Sequence, residues 1–164
     1  MSTNNKKECS RKQEKLIANL LDWNVVSGSG ARNLYPGDIQ SDEWLGECKT
    51  HTTPGHKIVF FKTVWEKIVD EAIAKHRFPA LFVDDGSQAI SNTWVMYNTL
   101  PGVEYVMSNR LQSANDNIRF DSLDMMRHKK DLGVMLPVIY EIKRPQDTVY
   151  VSTLEEFSLM FATV

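Results

Sequence analysis

The chain has 164 residues, 42% of them hydrophobic and 24% charged, with a formal net charge of −2. These values suit one soluble domain, in which folding buries roughly 68–70% of the unfolded chain's surface. They exclude a membrane-spanning protein, since apolar runs such as Ile58-Val59-Phe60-Phe61 are far too short to cross a bilayer. They also exclude a disulfide-stapled scaffold, because Cys9 and Cys48 are the only cysteines.

Two cysteines and a polar, charged N-terminus without an apolar leader core predict a reducing, cytoplasmic setting. Residues 1–10 read as a disordered tail and 11–164 as a single domain. Lys6, Lys7, Arg11, Lys12 and Lys15 crowd the start of the chain. They either contact phosphates or form a solvated helix face. From Arg11 to Trp23, apolar residues at Leu16, Ile17, Leu20 and Leu21 recur with helical spacing. Residues 27–37 hold three glycines and a proline, so they read as loop.

Two short strands follow, at Asp38–Gln40 and Trp44–Thr50, then a loop over residues 52–57. A helix is predicted from Lys62 to Lys75 and a buried strand over Ala80–Val83. Further on, Trp94–Tyr97 and Tyr105–Met107 read as strands, Phe120–Asp131 as a helix capped by Asp121 and stopped at Gly133, and Val134–Ile142 as a strand. Thr153-Leu154-Glu155-Glu156 is a capping-box signature opening a C-terminal helix. The order predicts an α/β sandwich around one mixed sheet. The four tryptophans read as core.

The chemistry concentrates in Pro36-Gly37-Asp38 and Glu47-Cys48-Lys49. In a strand, Glu47 and Lys49 share one face and Cys48 takes the other. If the strand bearing Asp38 pairs with this one, two carboxylates and an ammonium converge. Carboxylates hold Mg²⁺ together with its waters, and such a metal activates water against a phosphodiester. A second Glu-x-Lys, Glu141-Ile142-Lys143 with Asp131 upstream, is a rival. The glycine-rich approach and a preceding helix carrying Glu14 favour the first. Cys48, His51 and His56 lack a fourth partner for zinc. The glycine loop lacks the Gly-Lys-Ser/Thr of a P-loop, and no Ser-His-Asp set stands out.

Glu14 on a first helix, then Gly37-Asp38 and Glu47-Cys48-Lys49, resembles the PD-(D/E)xK nuclease superfamily, and within it the archaeal and phage-type Holliday-junction resolvases. The resemblance spans about residues 11–85, a catalytic core, and leaves 86–164 unassigned. It implies a restriction-endonuclease-like core, a central mixed sheet flanked by helices. It implies Mg²⁺, with Mn²⁺ as substitute, held by Asp38, Glu47 and the carbonyl of Cys48. Lys49 would orient water or stabilise the phosphate, and Glu14 would act from outside the metal's own ligands. The expected substrate is DNA, branched, cut by a homodimer at two symmetric sites. Ser27, Ser29 and Arg32 before the site, and Thr50, His51 and Lys57 after it, would contact the DNA backbone or serve as ordinary turn residues. Against this stands the near-neutral charge, since nucleic-acid-binding domains are often basic. A binding or assembly module that retains the fold, or a restriction- or repair-type nuclease, are the alternatives.

Overall fold

A computed structural model describes residues 3–27, 36–112 and 116–162. The first helix, α1 (Thr3–Leu21), starts well inside the expected tail. After Thr3, Asn4 and Asn5 it runs through Lys6, Lys7, Glu8, Arg11, Lys12 and Gln13, all good helix formers, with Glu8 four residues before Lys12 in the favourable order for a helical ion pair. Residues 3–8, 11 and 12 are exposed, so local propensity rather than burial shapes this stretch.

Strands β1 (Asn24–Val25), β2 (Ile39–Gln40) and β3 (Trp44–Lys49) form an antiparallel meander. A further strand, β4 (Ile58–Phe60), precedes helix α2 (Lys62–Ala74), which crosses over to β5 (Phe78–Asp84). That crossover sets β5 parallel to β3, with Glu47 beside Leu81 and Lys49 beside Val83. A short 3₁₀ turn (Ile90–Asn92) leads to β6 (Thr93–Tyr97), followed by β7 (Val106–Ser108) and β8 (Ile118–Phe120). Helix α3 (Ser122–Leu132), strands β9 (Val138–Lys143) and β10 (Thr148–Thr153), and helix α4 (Leu154–Phe161) complete the chain.

The main sheet runs β1-β2-β3-β5-β6-β10-β9-β7, and β4 pairs with β8 in a separate two-stranded ribbon. On one face, Ile17 and Ala18 of α1 and Leu154, Phe157 and Met160 of α4 cover Trp44, Cys48, Phe82, Val95 and Tyr97. On the other, α2, α3 and the ribbon cover Leu45, Leu81, Val83, Trp94 and Met96, through Phe60, Trp65, Ile68, Phe120 and Met125. β5 is covered on both faces, which is why it reads as an unbroken apolar run. Trp44, Trp65 and Trp94 are buried, and the half-buried Trp23 stacks on Trp44 with centroids 6.0 Å apart. Among the described residues no helix is long and apolar enough to cross a membrane.

Several boundaries differ from expectation. Phe120 is the last residue of β8, and α3 begins only at Ser122, capped by the Asp121 side chain, which accepts from Asp124 N. Gly133 ends this helix at φ 62°, as its position suggested. The expected strand over Val134–Ile142 starts at Val138. The ribbon strands and β10 were not anticipated. At α4, Thr153 Oγ1 accepts from Glu156 N at 3.2 Å and donates to the Glu156 carboxylate at 3.0 Å, so the two residues bond reciprocally through the hydroxyl rather than through the Thr153 N–H. The carboxylate also accepts from Val138 N and pairs with Lys129, tying α4 to β9 and α3.

Candidate active site

Asp38 enters the sheet through a turn that only glycine fits. Gly37 has φ +74°, and a Cβ there would lie 2.7 Å from Leu45 Cδ1. Its N–H donates to Glu71 Oε2 of α2 at 3.0 Å. The glycine between Pro36 and Asp38 is therefore a steric requirement of this hairpin. Asp38 N donates to Gly46 O at 2.8 Å, and Ile39 faces Gly46. The regular ladder ends at Ile39, and Asp38, just before it, lies within electrostatic reach of Glu47. Asp38 Oδ2 also accepts from Cys48 N at 2.8 Å. In an extended strand the carbonyl of a residue leaves on the same side as its N–H, so the Cys48 carbonyl faces Asp38 too.

Glu47 and Lys49 share that face and pair at 3.0 Å, while Cys48 is buried in the opposite core. Helix α1 closes the end of β3. Gln13, 1% exposed, donates from Nε2 to the Lys49 carbonyl at 2.7 Å. The next residue, Glu14, thereby lies within electrostatic reach of Asp38, Glu47 and Lys49.

The result is a crowd of carboxylates with too little positive charge. Burial, then Asp38 and Glu47, push Glu14 up to about 7, against the pull of Arg11 and Lys49. Burial and then Asp38 also raise Glu47, opposed by Lys49 and by Lys67 of α2. Burial pulls the Lys49 ammonium down, but Glu47 and Asp38 outweigh it and hold the ammonium above its ordinary value. Burial drives the Cys48 thiol far up, and the carboxylates add to this.

The donor chemistry fits a hard divalent cation. Among the described residues no three His, Cys, Asp or Glu side chains gather closely enough to hold a metal by themselves. Two carboxylates and one carbonyl would leave the remaining positions to water and phosphate, a common arrangement for Mg²⁺. A cation there would also relieve the repulsion that raises Glu14 and Glu47.

The structure thus brings Glu14, Asp38, Glu47, the Cys48 carbonyl and Lys49 together. Thr50 and His51 continue directly from the site. Lys57 is exposed, and among the described residues it has no ion-pair partner. Ser27 is exposed after β1, while Ser29 and Arg32 lie outside the described residues. The rival motif is unlike the first: Glu141 and Lys143 sit 3.7 Å apart with Lys143 79% exposed, and Asp131 is exposed at the end of α3.

Gln13, Lys67, Glu71, Asp84 and Gln88 escaped the sequence reading. Gln13 precedes Ile17 by four residues on the buried stripe of α1, and a polar residue at a stripe position is a legible signal. Lys67 and Glu71 form an i,i+4 pair, 3.6 Å apart, on the edge of α2 that reaches the hairpin. Asp84, fully buried at the end of β5, accepts from Thr50 Oγ1 and Gly86 N. Burial raises its carboxyl despite these bonds. Gln88 donates to Thr50 Oγ1 at 2.9 Å and to His51 O at 2.8 Å. No family model, curated protein or solved structure matches the chain.

Proposed function

We propose that the protein is a metal-dependent DNA endonuclease of PD-(D/E)xK type, built on a restriction-endonuclease-like core. The observation that carries this reading is the hairpin of β2 and β3. It brings Asp38 within electrostatic reach of Glu47, holds Lys49 3.0 Å from Glu47, and meets a helix whose Glu14 is pushed up to about 7. The order of parts supports it: a glutamate-bearing helix, an aspartate at a turn, a Glu-x-Lys strand, then a helix.

Asp38, Glu47 and the Cys48 carbonyl would hold Mg²⁺ or Mn²⁺, which supplies polarisation of the phosphate and a more acidic water. Lys49 offsets negative charge that builds on the phosphate as water attacks phosphorus. Glu14 accepts hydrogen bonds from water on the outer side. The attacking water loses a proton to solvent as it bonds to phosphorus, the bond from phosphorus to the 3′ oxygen breaks, and the departing 3′ oxyanion takes up a proton, giving a 3′-hydroxyl and a 5′-phosphate. The basic residues of α1, among them Lys7, Arg11, Lys12 and Lys15, line one broad surface depression and suit contact with the nucleic-acid backbone.

The finer reading is a structure-selective Holliday-junction resolvase acting as a homodimer. The described residues form an eight-stranded sheet and a two-stranded ribbon around one candidate site, and two symmetric cuts require two sites. The test incubates the protein with labelled four-way junctions, forks, duplex and single strands in Mg²⁺. Symmetric junction cuts lost in Lys49→Ala and kept in Lys143→Ala are expected. Cleavage of every substrate would leave a restriction- or repair-type nuclease. No cleavage in Mg²⁺ or Mn²⁺, with no metal affinity by calorimetry, would overturn the enzyme reading in favour of a binding module.

A further inference from the structure

Beside the carboxylate site lies a cavity of about 390 Å³ of opposite character. Lys6 and Ser10 of α1 line it from one side, and Thr50, His51, Thr53 and His56 of the loop after β3 from the other. None of its described lining residues is acidic. The Thr50 hydroxyl donates to Asp84 and is committed to the loop; the Lys6 ammonium, the Ser10 and Thr53 hydroxyls and two imidazoles remain, a set that binds a phosphate oxygen.

The loop wall is preassembled. The rings of His51 and His56 stack with centroids 3.8 Å apart and 16° between planes. Thr53 Oγ1 and His56 Nε2 share a hydrogen bond of 3.1 Å, and His56 N donates to Asp85 O at 2.9 Å. The Gln88 amide pins the carbonyl of His51 and the hydroxyl of Thr50 from below. Gly86 packs so tightly under this loop that a Cβ would meet Thr53 O at 1.9 Å.

We propose that this cavity binds a backbone phosphate of the nucleic-acid strand, the one next to the phosphate that is cut. The proposal rests on the nuclease reading for the identity of the strand. Thr50 and His51 directly follow Lys49, and two residues reach at most about 7 Å. One strand could therefore lay successive phosphates on the Lys49 ammonium and in the cavity. The carboxylates would hold the cation and the cavity the neighbouring anion.

The test titrates thymidine 3′,5′-bisphosphate into the whole metal-free protein and follows the carbon-bound imidazole resonances by NMR. The chain has four histidines, so His76 and His128 act as internal references. Saturable shifts at His51 and His56 are expected, and the exposed Lys6→Ala should weaken them about tenfold, the loss of one charge-assisted hydrogen bond. Unmoved His51 and His56 signals would overturn the subsite. So would shifts whose affinity Lys6→Ala leaves unchanged, or shifts abolished by Lys49→Ala alone. Junction cleavage measured in parallel separates the two readings. Cleavage without histidine shifts removes the subsite and keeps the nuclease, while shifts without cleavage do the reverse.

Discussion

Glu14 carries the clearest pH signature of any single residue. Its carboxyl titrates at an ordinary 4.5 in the unfolded chain and at about 7 in the fold. Below the lower value it is protonated in both states. Between the two, only the folded state keeps the proton, so stability falls as pH rises through this window. The raised Glu47 acts in the same direction. We expect the metal-free protein to melt at a lower temperature at pH 8 than at pH 5, with Mg²⁺ restoring more at pH 8. Glu14→Gln should flatten the profile, and an unchanged slope in thermal melts of that variant would sink the assignment. Glu47 and Lys49 were legible because strand alternation alone forces them to one face. The crowding that raises Glu14 was not, because it depends on how α1 lies across the end of β3, and Gln13, which fixes that crossing, acts through one buried bond to a main-chain carbonyl.

The elements divide by the range of the forces that define them. Helix α3 is specified by its own ends: Asp121 caps the start, and Gly133 at φ 62° ends it. Asp121→Ala should cost about 1 kcal/mol, the usual value of an N-cap, measured by denaturant unfolding, with cleavage unaffected. The loop beneath the cavity is specified by close approach instead. At Gly86, φ +99° and the contact with Thr53 combine, and Gly86→Ala should cost about 1–3 kcal/mol in strain alone. In that variant the His51–His56 stack should loosen, read as broadened imidazole signals. The caps were visible in sequence because they are local chemistry. Strands β4 and β8 were not, because each is three residues long and gains definition only from pairing across more than fifty residues of chain.

For the whole molecule, the second half is structural support for the first. β6 lies against β5 from Ala80 to Asp84, and α4 supplies Leu154, Phe157 and Met160 to the core that holds Cys48 and Phe82. A fragment of residues 11–85 should therefore fail to fold, giving no cooperative thermal transition by circular dichroism. Phe157→Ala in the full chain should lose about 3–5 kcal/mol. None of this mutual dependence could be read from residues 86–164 alone, because an apolar strand does not announce which neighbour it will join. The sheet also ends abruptly on both sides: its outermost strands, β1 and β7, are two and three residues long. Such stubs leave hardly any open ladder for a foreign strand to extend. Edge-to-edge addition of another chain's strand at β1 or β7 would thus gain only two or three residues of ladder, too little to hold two molecules together.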